Sequence, residues 1–538
     1  MKPSVIFYTR VLPKTVPLGK QKKNDSFNRT YEDGMCHVTS VNACTNEVNV
    51  LKLTPMKNFV SIQTPKLFPL PAEAVSGLRT AISDCKRTGK IFQHEADQLF
   101  EKLNQRRFPA SPKEVQSARK KIMSKLKLDE DSDAYLSPEH FSQKIRNAQE
   151  KYVNREVHKQ LKKTRYNWKP LDFKTKEDAA VFSLSQMAPY YAETRKVLNE
   201  FRRVDFKPET VLDYGSGCGS VFWAVRDIWP DVGDYCLVDI NDNISQFAMD
   251  VMRNSTDSED SVPKNVYFRR ALVPSPQKKY DLVIVHRLLI EIGSHEQRLD
   301  LISQLWSRTN RFLVIIESSL EDSFDALMQA RNFILTNGVK MDSSALKELL
   351  IAQGIYTDEV EQIVKDKQMS YSEKFLLLRE KLPNPEKLPT FIETGHVFAP
   401  CPHDGGCPLL DLPVGKRSCK FFARYNEIRA DEKSKSQSAD GTNMSAFSYC
   451  ILEKGIAQGR TAGRLLDKSK SSGCVSCKVC TPFDGVQRFP VSKRAGPLYQ
   501  LAKSSVPGQL FPLDTDIVAS DSEYHIVREM LKEELEGK

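Results

Sequence analysis

Glycines at alternate positions follow a short apolar run near the middle of the chain. The run Val211–Tyr214 leads directly into Gly215-Ser216-Gly217-Cys218-Gly219. Glycine permits the positive φ angles of a tight turn, and its missing Cβ lets the backbone approach a ligand closely. The spacing predicts a buried strand, a turn, and then a helix that begins near Val221. The unsatisfied N–H groups and positive dipole end of that helix would face whatever lies over the turn.

A second apolar run, Tyr235–Val238, is followed by Asp239, 26 residues after Asp213. A carboxylate at the end of a second strand can accept hydrogen bonds from both hydroxyls of a ribose. The G-x-G-x-G spacing differs from the dinucleotide pattern G-x-G-x-x-G. With Asp213 in front, it resembles the first motif of S-adenosylmethionine-dependent methyltransferases. A glycine turn in another kind of α/β domain is the alternative reading.

Cysteines form the second set of residues whose spacing indicates chemistry. They lie in two groups, Cys401, Cys407 and Cys419, and then Cys474, Cys477 and Cys480. Four thiolates suit either a closed zinc site or an iron–sulfur cluster, and the spacing does not choose between them. The first two cysteines each precede a proline, as some cluster ligands do. The chain has twelve cysteines and no secretory signal, which favours metal ligands over disulfides.

The elements that position these residues follow a regular order. Two further continuous apolar runs, Tyr280–Val285 and Arg311–Glu317, are typical of parallel strands that are covered on both faces. Between them, Gln297–Trp306 has the apolar spacing of a helix. Alternating strands and helices predict an α/β fold with a doubly wound, Rossmann-like sheet.

Length and composition bound the rest. The chain has 538 residues, 40% of them hydrophobic, which is enough for two or three domains. No run of 18 apolar residues indicates a membrane span. The 79 Lys and Arg exceed the 69 Asp and Glu by ten. Over this length, a net charge of +10 is a modest bias towards polyanions and does not identify a nucleic-acid binder.

A basic segment precedes the glycine turn. Its cations are Lys151, Arg155, Lys159, Lys162, Lys163, Arg165 and Lys169. Tyr152, Tyr166 and Trp168 lie among them, against the single acid Glu156. Positive charge interleaved with aromatic rings suits a phosphate backbone and unstacked bases. A solvated helix face accounts for the pattern equally well.

The chain divides into six segments by these patterns. Residues 1–65 are expected to be irregular and to include a targeting segment, because the first 24 residues contain six Lys and Arg and no acid. Residues 66–175 are predicted to be helical and basic, and residues 176–337 to be the methyltransferase-like domain. A helical insertion follows at 338–390, then a cysteine-rich region at 391–505 that completes the domain, and a tail at 506–538. Tyr190 and Tyr191 could line the mouth of the cofactor site, but packing against the sheet is the favoured interpretation.

The order of motifs resembles that of the mitochondrial small-ribosomal-subunit methyltransferase-like family. The matching motifs are Val211–Ser220, Cys401–Pro408, Cys419 with Phe421, Phe447–Tyr449, Cys480–Pro482, Ser492–Tyr499 and Ala502-Lys503. They span about residues 170–505. One departure concerns the end of the fifth strand, where the family has Glu-Pro-Gly and this chain has Glu317-Ser318-Ser319.

The resemblance implies a class I methyltransferase fold, a [4Fe-4S] cluster and association with the small mitochondrial ribosomal subunit and its rRNA in the mitochondrial matrix. Other assembly factors are implied as partners. The cluster ligands carried over are Cys401, Cys407, Cys419 and Cys480, and Cys474 or Cys477 is the alternative for the last. The S-adenosylmethionine site would comprise Asp213, Gly215, Gly217, Gly219 and Asp239. Basic residues near the cysteines would face ribosomal RNA; they are Lys416, Arg417, Lys420, Arg424, Lys478, Arg488, Lys493 and Arg494.

Catalysis does not follow from these motifs. Many base methyltransferases carry N/D-P-P-Y or a nucleophilic cysteine after the fourth strand, where this chain has Val285–Glu291. His286 or Glu291 could act as a general base, but local pairing of Glu291 is the favoured interpretation. Two function classes therefore stand: a ribosome-assembly protein that retains the methyltransferase scaffold, and an active S-adenosylmethionine-dependent rRNA methyltransferase.

Overall fold

The computed structural model divides the chain into two compact units. One comprises residues 60–464, and the other joins residues 1–59 to residues 465–538. The residues that the structure describes are 35–56, 59, 64–110, 112–125, 139–164, 169–253, 262–275, 277–366, 368–381, 388–413, 415–431, 441–457 and 462–519. The expected targeting segment at the N-terminus lies outside them. No helix in the described part is long and apolar enough to cross a bilayer.

The larger unit is built on one mixed sheet. Its strands are β3 (Thr210–Tyr214), β4 (Asp234–Val238), β5 (Val266–Arg269), β6 (Tyr280–His286), β7 (Thr309–Ser318), β8 (Gly395–Ala399), β9 (Phe421–Asn426) and β10 (Thr442–Lys454). The order across the sheet is β5-β4-β3-β6-β7-β10-β8, and β9 pairs with β10. From β5 to β7 all neighbours are parallel, whereas β10 runs antiparallel to β7 and to β8. This is the strand arrangement of a class I methyltransferase-like α/β fold, as the sequence predicts.

The central strands are apolar because both faces of the sheet are covered. Leu282, Val283 and Ile284 of β6 are fully buried, as are the facing residues Phe312–Ile316 of β7. The helices of this unit that follow the glycine turn are α6 (Ser220–Arg226), α7 (Asp242–Arg253), α8 (His295–Ser307) and α9 (Glu321–Asn337). Parallel neighbours of this kind require crossover connections, which the helices supply.

A long helix, α5 (Lys176–Leu198), leads into the sheet. The Thr175 hydroxyl accepts a hydrogen bond from the backbone N–H of Asp178, and the Asp178 carboxylate accepts one from the backbone N–H of Thr175. This capping box fixes where the helix begins. Pro189 lies inside α5, and most of the helix is buried. The sequence indicates this element correctly from Lys176 onward.

The predicted helical region before α5 contains four helices. They are α1 (Ala72–Ser83), α2 (Gly89–Asn104), α3 (Pro112–Lys125) and α4 (Glu139–Thr164). The first two contribute to the main core through residues such as Leu78 and Phe92. The helices α3 and α4 pack on each other through a small cluster of their own, formed by Ala118, Ile122, Val153 and Val157. The predicted cations Lys151 to Lys163 therefore lie on a helix, whereas Arg165, Tyr166 and Trp168 lie outside the described residues.

The predicted insertion is helical too. It contains α10 (Ser343–Ala352), α11 (Asp358–Lys365) and α12 (Tyr371–Lys381). These three helices share a separate core that includes Leu346, Val360 and Phe375. A separate core explains how the fold accommodates a long insertion without disturbing the sheet.

The smaller unit corrects three sequence expectations. It contains β1 (Cys36–Asn42), β2 (Val48–Pro55), β11 (Arg464–Ser471), β12 (Cys474–Cys480), β13 (Val486–Ser492) and β14 (Leu513–Ala519). These strands form an antiparallel sheet in the order β11-β12-β13-β1-β2-β14. The unit also contains the helix α13 (Pro497–Ser504). Residues 36–55 are therefore a hairpin, not irregular. The tail that was expected to begin at 506 contains β14. The cysteine-rich region is also divided, because its last part pairs with the N-terminal hairpin instead of completing the methyltransferase-like domain.

Candidate functional site

The glycine turn has the backbone geometry that its sequence predicts. The φ angles of Gly215, Gly217 and Gly219 are +78°, +49° and +75°. A Cβ on Gly215 would lie 3.0 Å from the side chain of Leu288, and one on Gly219 would lie 3.1 Å from that of Met252. Side chains at these two positions would be both strained and crowded. The turn is held against the neighbouring strand, because the N–H of Gly215 donates to the carbonyl of Val238 at 2.8 Å.

Asp239 follows β4 and faces the turn. Its Oδ2 accepts from the N–H of Gly217 at 3.0 Å, and its Oδ1 accepts from the N–H of Asn241 at 3.0 Å. Burial raises the pKa of the Asp239 carboxyl, although both of these N–H groups act in the opposite direction. The structure therefore brings Asp239 and the glycine turn together, as the sequence predicts.

Asp213 lies within β3 and is almost completely buried. Neither of its carboxylate oxygens has a hydrogen-bond partner in the described part of the chain, and the neighbouring Ser216 hydroxyl has none either. Burial, with the nearby Asp239 charge, raises the pKa of Asp213 well above its ordinary value. A buried charge without a donor is costly, and a carboxyl that keeps its proton avoids that cost.

A cavity of about 470 Å³ opens over the turn. Its wall includes Tyr214–Cys218, Val238–Asn241, Phe173, Phe182, Tyr190 and His286–Leu288. Tyr190 thus lines the cavity, the alternative that the sequence left open, and it also packs against the main core. Tyr191 is buried as expected, and its hydroxyl donates to Asp227 at 2.9 Å. The volume and the mixed apolar and polar wall are those of a small-molecule site.

A buried ion-pair network closes the cavity beyond the end of β6. The Nε of Arg287 donates to Glu193 Oε2 at 3.1 Å, and His286 Nε2 lies 2.9 Å from the same oxygen. Ser445 also donates to Glu193. Burial would raise the pKa of Glu193, but the Arg287 charge and the hydrogen bonds from His286 and Arg287 outweigh it and lower the pKa to about 2. We call Glu193, His286, Arg287 and Ser445 the Glu193 network.

The protonation states in the Glu193 network follow from its geometry. An ionised carboxylate only accepts, so the Nε2 of His286 must carry the proton that it donates. Burial lowers the pKa of His286, which keeps the ring neutral. Arg287 has a φ angle of +56°, unusual for a residue with a side chain. Its backbone N–H donates to the carbonyl of Ile316 at 2.7 Å, and its side chain is anchored by Glu193. His286 is therefore a neutral ring in the cavity wall that Glu193 holds through Nε2, and its Nδ1 is the nitrogen that can accept a proton.

Glu291, the other predicted base, is also engaged. Arg106 donates to both of its carboxylate oxygens, with the Nη2–Oε2 distance at 2.8 Å, and the N–H of Leu171 donates to Oε2 at 2.8 Å. Burial raises the pKa of Glu291, and Arg106 and Leu171 counteract it. Glu291 is therefore paired, as the favoured interpretation from the sequence expects, but its partner lies 185 positions away and the pairing is not local. The pair ties the N-terminal helical region to the rim of the cavity.

Glu317 lies near the end of β7, just before Ser318 and Ser319, where the family has Pro-Gly. It is fully buried. Its Oε1 accepts from the N–H of Leu289 at 2.6 Å, whereas Oε2 has no partner among the described residues. Burial raises the pKa of Glu317 to about 8, despite the Arg287 charge and the Leu289 N–H. A carboxyl that stays protonated at neutral pH supports the loop that carries Leu288 and Leu289.

The loop that carries Cys401 and Cys407 is fastened by buried side chains. Arg331 of α9 is fully buried and donates to the carbonyls of His403 and Gly405 at 2.8 and 2.9 Å. The N–H of Val397 donates to Asp404 at 2.7 Å. The Nε of Arg464 donates to the carbonyl of Pro400 at 3.0 Å. Charged donors on carbonyls are among the stronger hydrogen bonds, so the backbone of this loop is well fixed.

The predicted cluster ligands lie in different parts of the fold. Cys401, Cys407 and Cys419 are half-buried in the larger unit, and the carbonyl of Cys419 accepts from Ser448 at 2.6 Å. Cys480, with Cys474 and Cys477, lies on β12 of the smaller unit. All twelve cysteines are in the described part, and none forms a disulfide. Among the described residues, no group of three or more His, Cys, Asp or Glu side chains is placed to hold a metal ion. The ligand set therefore stays a prediction from the sequence.

Sequence reasoning did not find Glu193, Arg106 or Arg331. Each acts through a partner that is far away in the chain: Arg106 and Glu291 are 185 positions apart, and Arg331 and His403 are 72 apart. Periodicity within a helix says only that a polar residue interrupts a buried face. That interruption was the available signal, since Glu193 and Arg331 lie on the buried sides of α5 and α9.

Comparison with known proteins gives a family match. The family model described as "Mitochondrial small ribosomal subunit Rsm22" matches residues 176–345 and 369–512. Among curated relatives, the human "Ribosome assembly protein METTL17, mitochondrial" is 25% identical over 488 residues, which cover 89% of this chain and 90% of that protein. The Schizosaccharomyces pombe "Rsm22-cox11 tandem protein 2, mitochondrial" is 24% identical over 64% of this chain and 45% of its own length.

A solved structure with local similarity is magnesium protoporphyrin IX methyltransferase from Synechocystis PCC 6803 with bound SAH. It is 12% identical, with a TM-score of 0.25, over 54% of this chain and 90% of that one. The strand order and the glycine turn described above, not this likeness, define the fold.

Proposed function

The chain belongs to the mitochondrial small ribosomal subunit Rsm22 family, and from this premise we propose that it is an assembly protein of the mitochondrial small ribosomal subunit, built on a methyltransferase scaffold. The proposal is supported by the human relative, a mitochondrial ribosome assembly protein with which it shares nearly its whole length. The two mitochondrial relatives support a place in mitochondria, and we propose the matrix as the compartment. Small-subunit rRNA and other assembly factors are the proposed partners.

The cavity over the glycine turn is proposed to bind S-adenosylmethionine. Asp239 would take the ribose hydroxyls, and Gly215, Gly217 and Gly219 would let the backbone approach the methionine part. Asp213, the remaining predicted residue, is buried in β3 and is not part of the cavity wall; its place in the site is proposed from the family motif. When bound, S-adenosylmethionine supplies an activated methyl group. The residues of the cavity would hold and orient S-adenosylmethionine, and the apolar part of the cavity wall would exclude water.

The observation that favours an assembly role over catalysis is the Glu193 network. Methyl transfer to a base needs an acceptor held in line with the methyl group and usually an extruded base in a pocket. After β6 the wall instead carries His286 and Arg287, and Glu193 binds both of them from behind the wall. Glu291 is paired with Arg106, and His286 has only Nδ1 left to accept a proton. An active rRNA methyltransferase is the second candidate, and the cavity itself is the observation in its favour.

An iron–sulfur cluster on Cys401, Cys407, Cys419 and Cys480 is proposed as a further cofactor. Thiolate donors suit iron–sulfur chemistry, and a metal site would tie together segments that are far apart in sequence. The fastened carbonyls of the Cys401 loop support a fixed position for the first two thiols. Binding to the native state alone would stabilise the fold by mass action.

The test of the assembly role is rescue in cells that lack the protein. The wild-type chain should co-sediment with the small subunit and restore its maturation. Gly217→Leu places a branched side chain in the cavity wall and should abolish binding of S-adenosylmethionine in calorimetry. Gly354→Leu is the matched control, because Gly354 also has positive φ (+68°) and no atom within 4 Å of an added Cβ.

The outcomes separate the two candidates. If Gly217→Leu restores assembly, and mass spectrometry of small-subunit rRNA finds the same methylated nucleotides as with the wild type, the result supports the assembly protein. Loss of one methyl mark in the deleted cells, restored by the wild type and by Gly354→Leu but not by Gly217→Leu, supports the enzyme. A wild-type chain that never co-sediments with the small subunit overturns both.

The cluster is tested on anaerobically purified protein. Iron and acid-labile sulfide should be present in the wild type and lost, with the visible absorbance, in Cys401→Ser. Cys44→Ser is the control, since Cys44 is also a half-buried thiol but lies outside the proposed ligand set. Equal iron and sulfide in Cys401→Ser and the wild type would refute the ligand assignment.

A further inference from the structure

Most of the net positive charge of the chain lies on two helices. Together α3 (Pro112–Lys125) and α4 (Glu139–Thr164) contain twelve Lys and Arg and four Glu, a net charge of +8. The whole chain has a net charge of +10. The connection between the helices, residues 126–138, has one lysine and four acids and lies outside the described part. The basic surface is therefore defined by the two helices themselves.

The two helices form a self-supporting pair. Their contact is the apolar cluster of Ala118, Ile122, Val153 and Val157, which is separate from the main core. Helix α4 has 26 residues and is therefore about 39 Å long at 1.5 Å per residue. With its apolar stripe turned towards α3, α4 leaves Lys151, Arg155 and Lys159 exposed. We call this pair the α3–α4 hairpin.

One row of cations runs along α4. Lys151, Arg155 and Lys159 are exposed and lie four residues apart, which places them on one side of the helix at intervals of about 6 Å along its axis. Exposed lysines of α3 add to the surface: Lys113, Lys120, Lys121 and Lys125. Two of the four acids pair with basic side chains of the same hairpin: Glu150 with Arg119, and Glu156 with Lys159 and, at 3.8 Å, with Arg155. An excess of positive charge is left on the surface.

One aromatic ring lies in this row. Tyr152 is 43% exposed, and the guanidinium of Arg155 lies over its ring, with 5.2 Å from its Cζ to the ring centroid. Proteins that bind single strands stack successive bases on several aromatic rings, whereas this row offers Tyr152 alone. A straight rod with evenly spaced cations matches a phosphate backbone, and contacts to phosphates do not read sequence.

We propose that the α3–α4 hairpin is an arm that binds the phosphate backbone of duplex RNA without reading its sequence. This rests on the proposed function, which supplies the ribosomal RNA. The cavity, the glycine turn and the proposed cysteine ligands play no part in it. The arm would anchor the protein on a helix of the small-subunit RNA.

The test uses the full chain and a 20-base-pair RNA duplex in a fluorescence anisotropy titration. Lys151→Glu/Arg155→Glu/Lys159→Glu should weaken binding at least tenfold at 100 mM salt. Because about 0.7 to 0.9 counterions are released per neutralised phosphate, the slope of log K against log salt should become shallower by about 2 to 3. The same triple change to Gln should give a smaller loss in the same direction, and circular dichroism should report unchanged helix content for both variants.

The control reverses three exposed lysines of the insertion, Lys347→Glu/Lys365→Glu/Lys381→Glu, which changes the net charge of the chain equally. If this control weakens binding as much as the α4 variant, the effect is one of total charge and the proposal is overturned. It is also overturned if the α4 variant binds the duplex like the wild type, or if a single strand of equal length competes better than the duplex.

Co-sedimentation keeps this test apart from that of the proposed function. If the wild-type chain binds duplex RNA through α4 but does not co-sediment with the small subunit, the proposed assembly role is refuted and the proposal that the α3–α4 hairpin binds RNA is supported. If the wild type co-sediments and the α4 variant matches it in both assays, the arm is refuted and the assembly role stands.

Discussion

Replacing Glu193 is the sharpest test of how the cavity wall is built. Glu193 is fully buried, and Arg287, His286 and Ser445 all donate to it. The pKa of Glu193 is lowered from 4.5 to about 2, and each unit corresponds to about 1.4 kcal/mol. The ionised carboxylate therefore contributes about 3 kcal/mol to the free energy of unfolding at pH 7. Glu193→Gln should lose most of this amount, and Glu193→Ala about 3 to 5 kcal/mol, because it leaves the Arg287 charge buried and uncompensated.

The assay is urea unfolding, monitored by tryptophan fluorescence, between pH 3 and 8. The pKa of Glu193 is lower in the folded state, so its contribution is fully present above about pH 4.5 and is lost as the pH falls towards 2. The difference between the wild type and Glu193→Gln should therefore shrink below pH 4.5. Glu361→Ala, which removes an exposed ion pair with Lys365, is the control and should unfold like the wild type.

The result that would refute this reasoning is a Glu193→Ala chain as stable as the wild type at pH 7, with the same affinity for S-adenosylmethionine. That outcome would mean that Arg287 finds another partner or turns to solvent without loss of stability. The Glu193 network would then not be what fixes His286 and Arg287 in the cavity wall. A loss of stability that does not change between pH 3 and 8 would locate the effect in packing and not in charge.

Three further predictions concern single residues. The pKa of Glu317 is raised to about 8, so the folded state binds the carboxyl proton of Glu317 more tightly than the unfolded state does. The free energy of unfolding of the wild type should therefore fall as the pH rises from about 4.5 to 8. Glu317→Gln should remove this pH dependence in urea unfolding. Arg331→Leu removes two hydrogen bonds to loop carbonyls, and hydrogen exchange of residues 401–407 should become about tenfold faster, with residues 343–352 of the insertion as the internal control. Gly219→Ala adds a Cβ at positive φ only 3.1 Å from Met252 and should cost about 1 to 2 kcal/mol in thermal unfolding, more than Gly217→Ala, whose Cβ would lie 3.6 Å from Phe182.

The fold of the larger unit could be read from the sequence because its signals are local. The runs that became β3, β4, β6 and β7 are continuous and apolar, and the helices between them have regular apolar spacing. The glycine turn needs positive φ at three places, and only glycine adopts it without strain. The sheet of the smaller unit was missed because β1 pairs with β13 and β2 pairs with β14, both more than 400 residues away, and no local pattern encodes a partner at that distance. The hairpin of β1 with β2 is local, and its pattern in the sequence was overlooked.

The candidate site divides in the same way. Asp239 and the three glycines were predictable, since a strand end and a turn fix them within a few residues. The Glu193 network was not, because it joins α5, the end of β6 and β10. Whether a polar residue in a helix faces water or a distant arginine depends on how the helices pack.

By itself, the sequence determined the parallel core, the cofactor-type turn and the family, because each depends on the order and spacing of neighbouring residues. Tertiary structure alone decided that His286 and Glu291 are bound within ion pairs, that Tyr190 lines the cavity, and that the N-terminal hairpin joins the cysteine-bearing strand β12 in one sheet. The physical reason is that burial and pairing energies belong to groups brought together from far along the chain. Spacing in sequence sets which groups a segment carries, and packing sets which charges they meet.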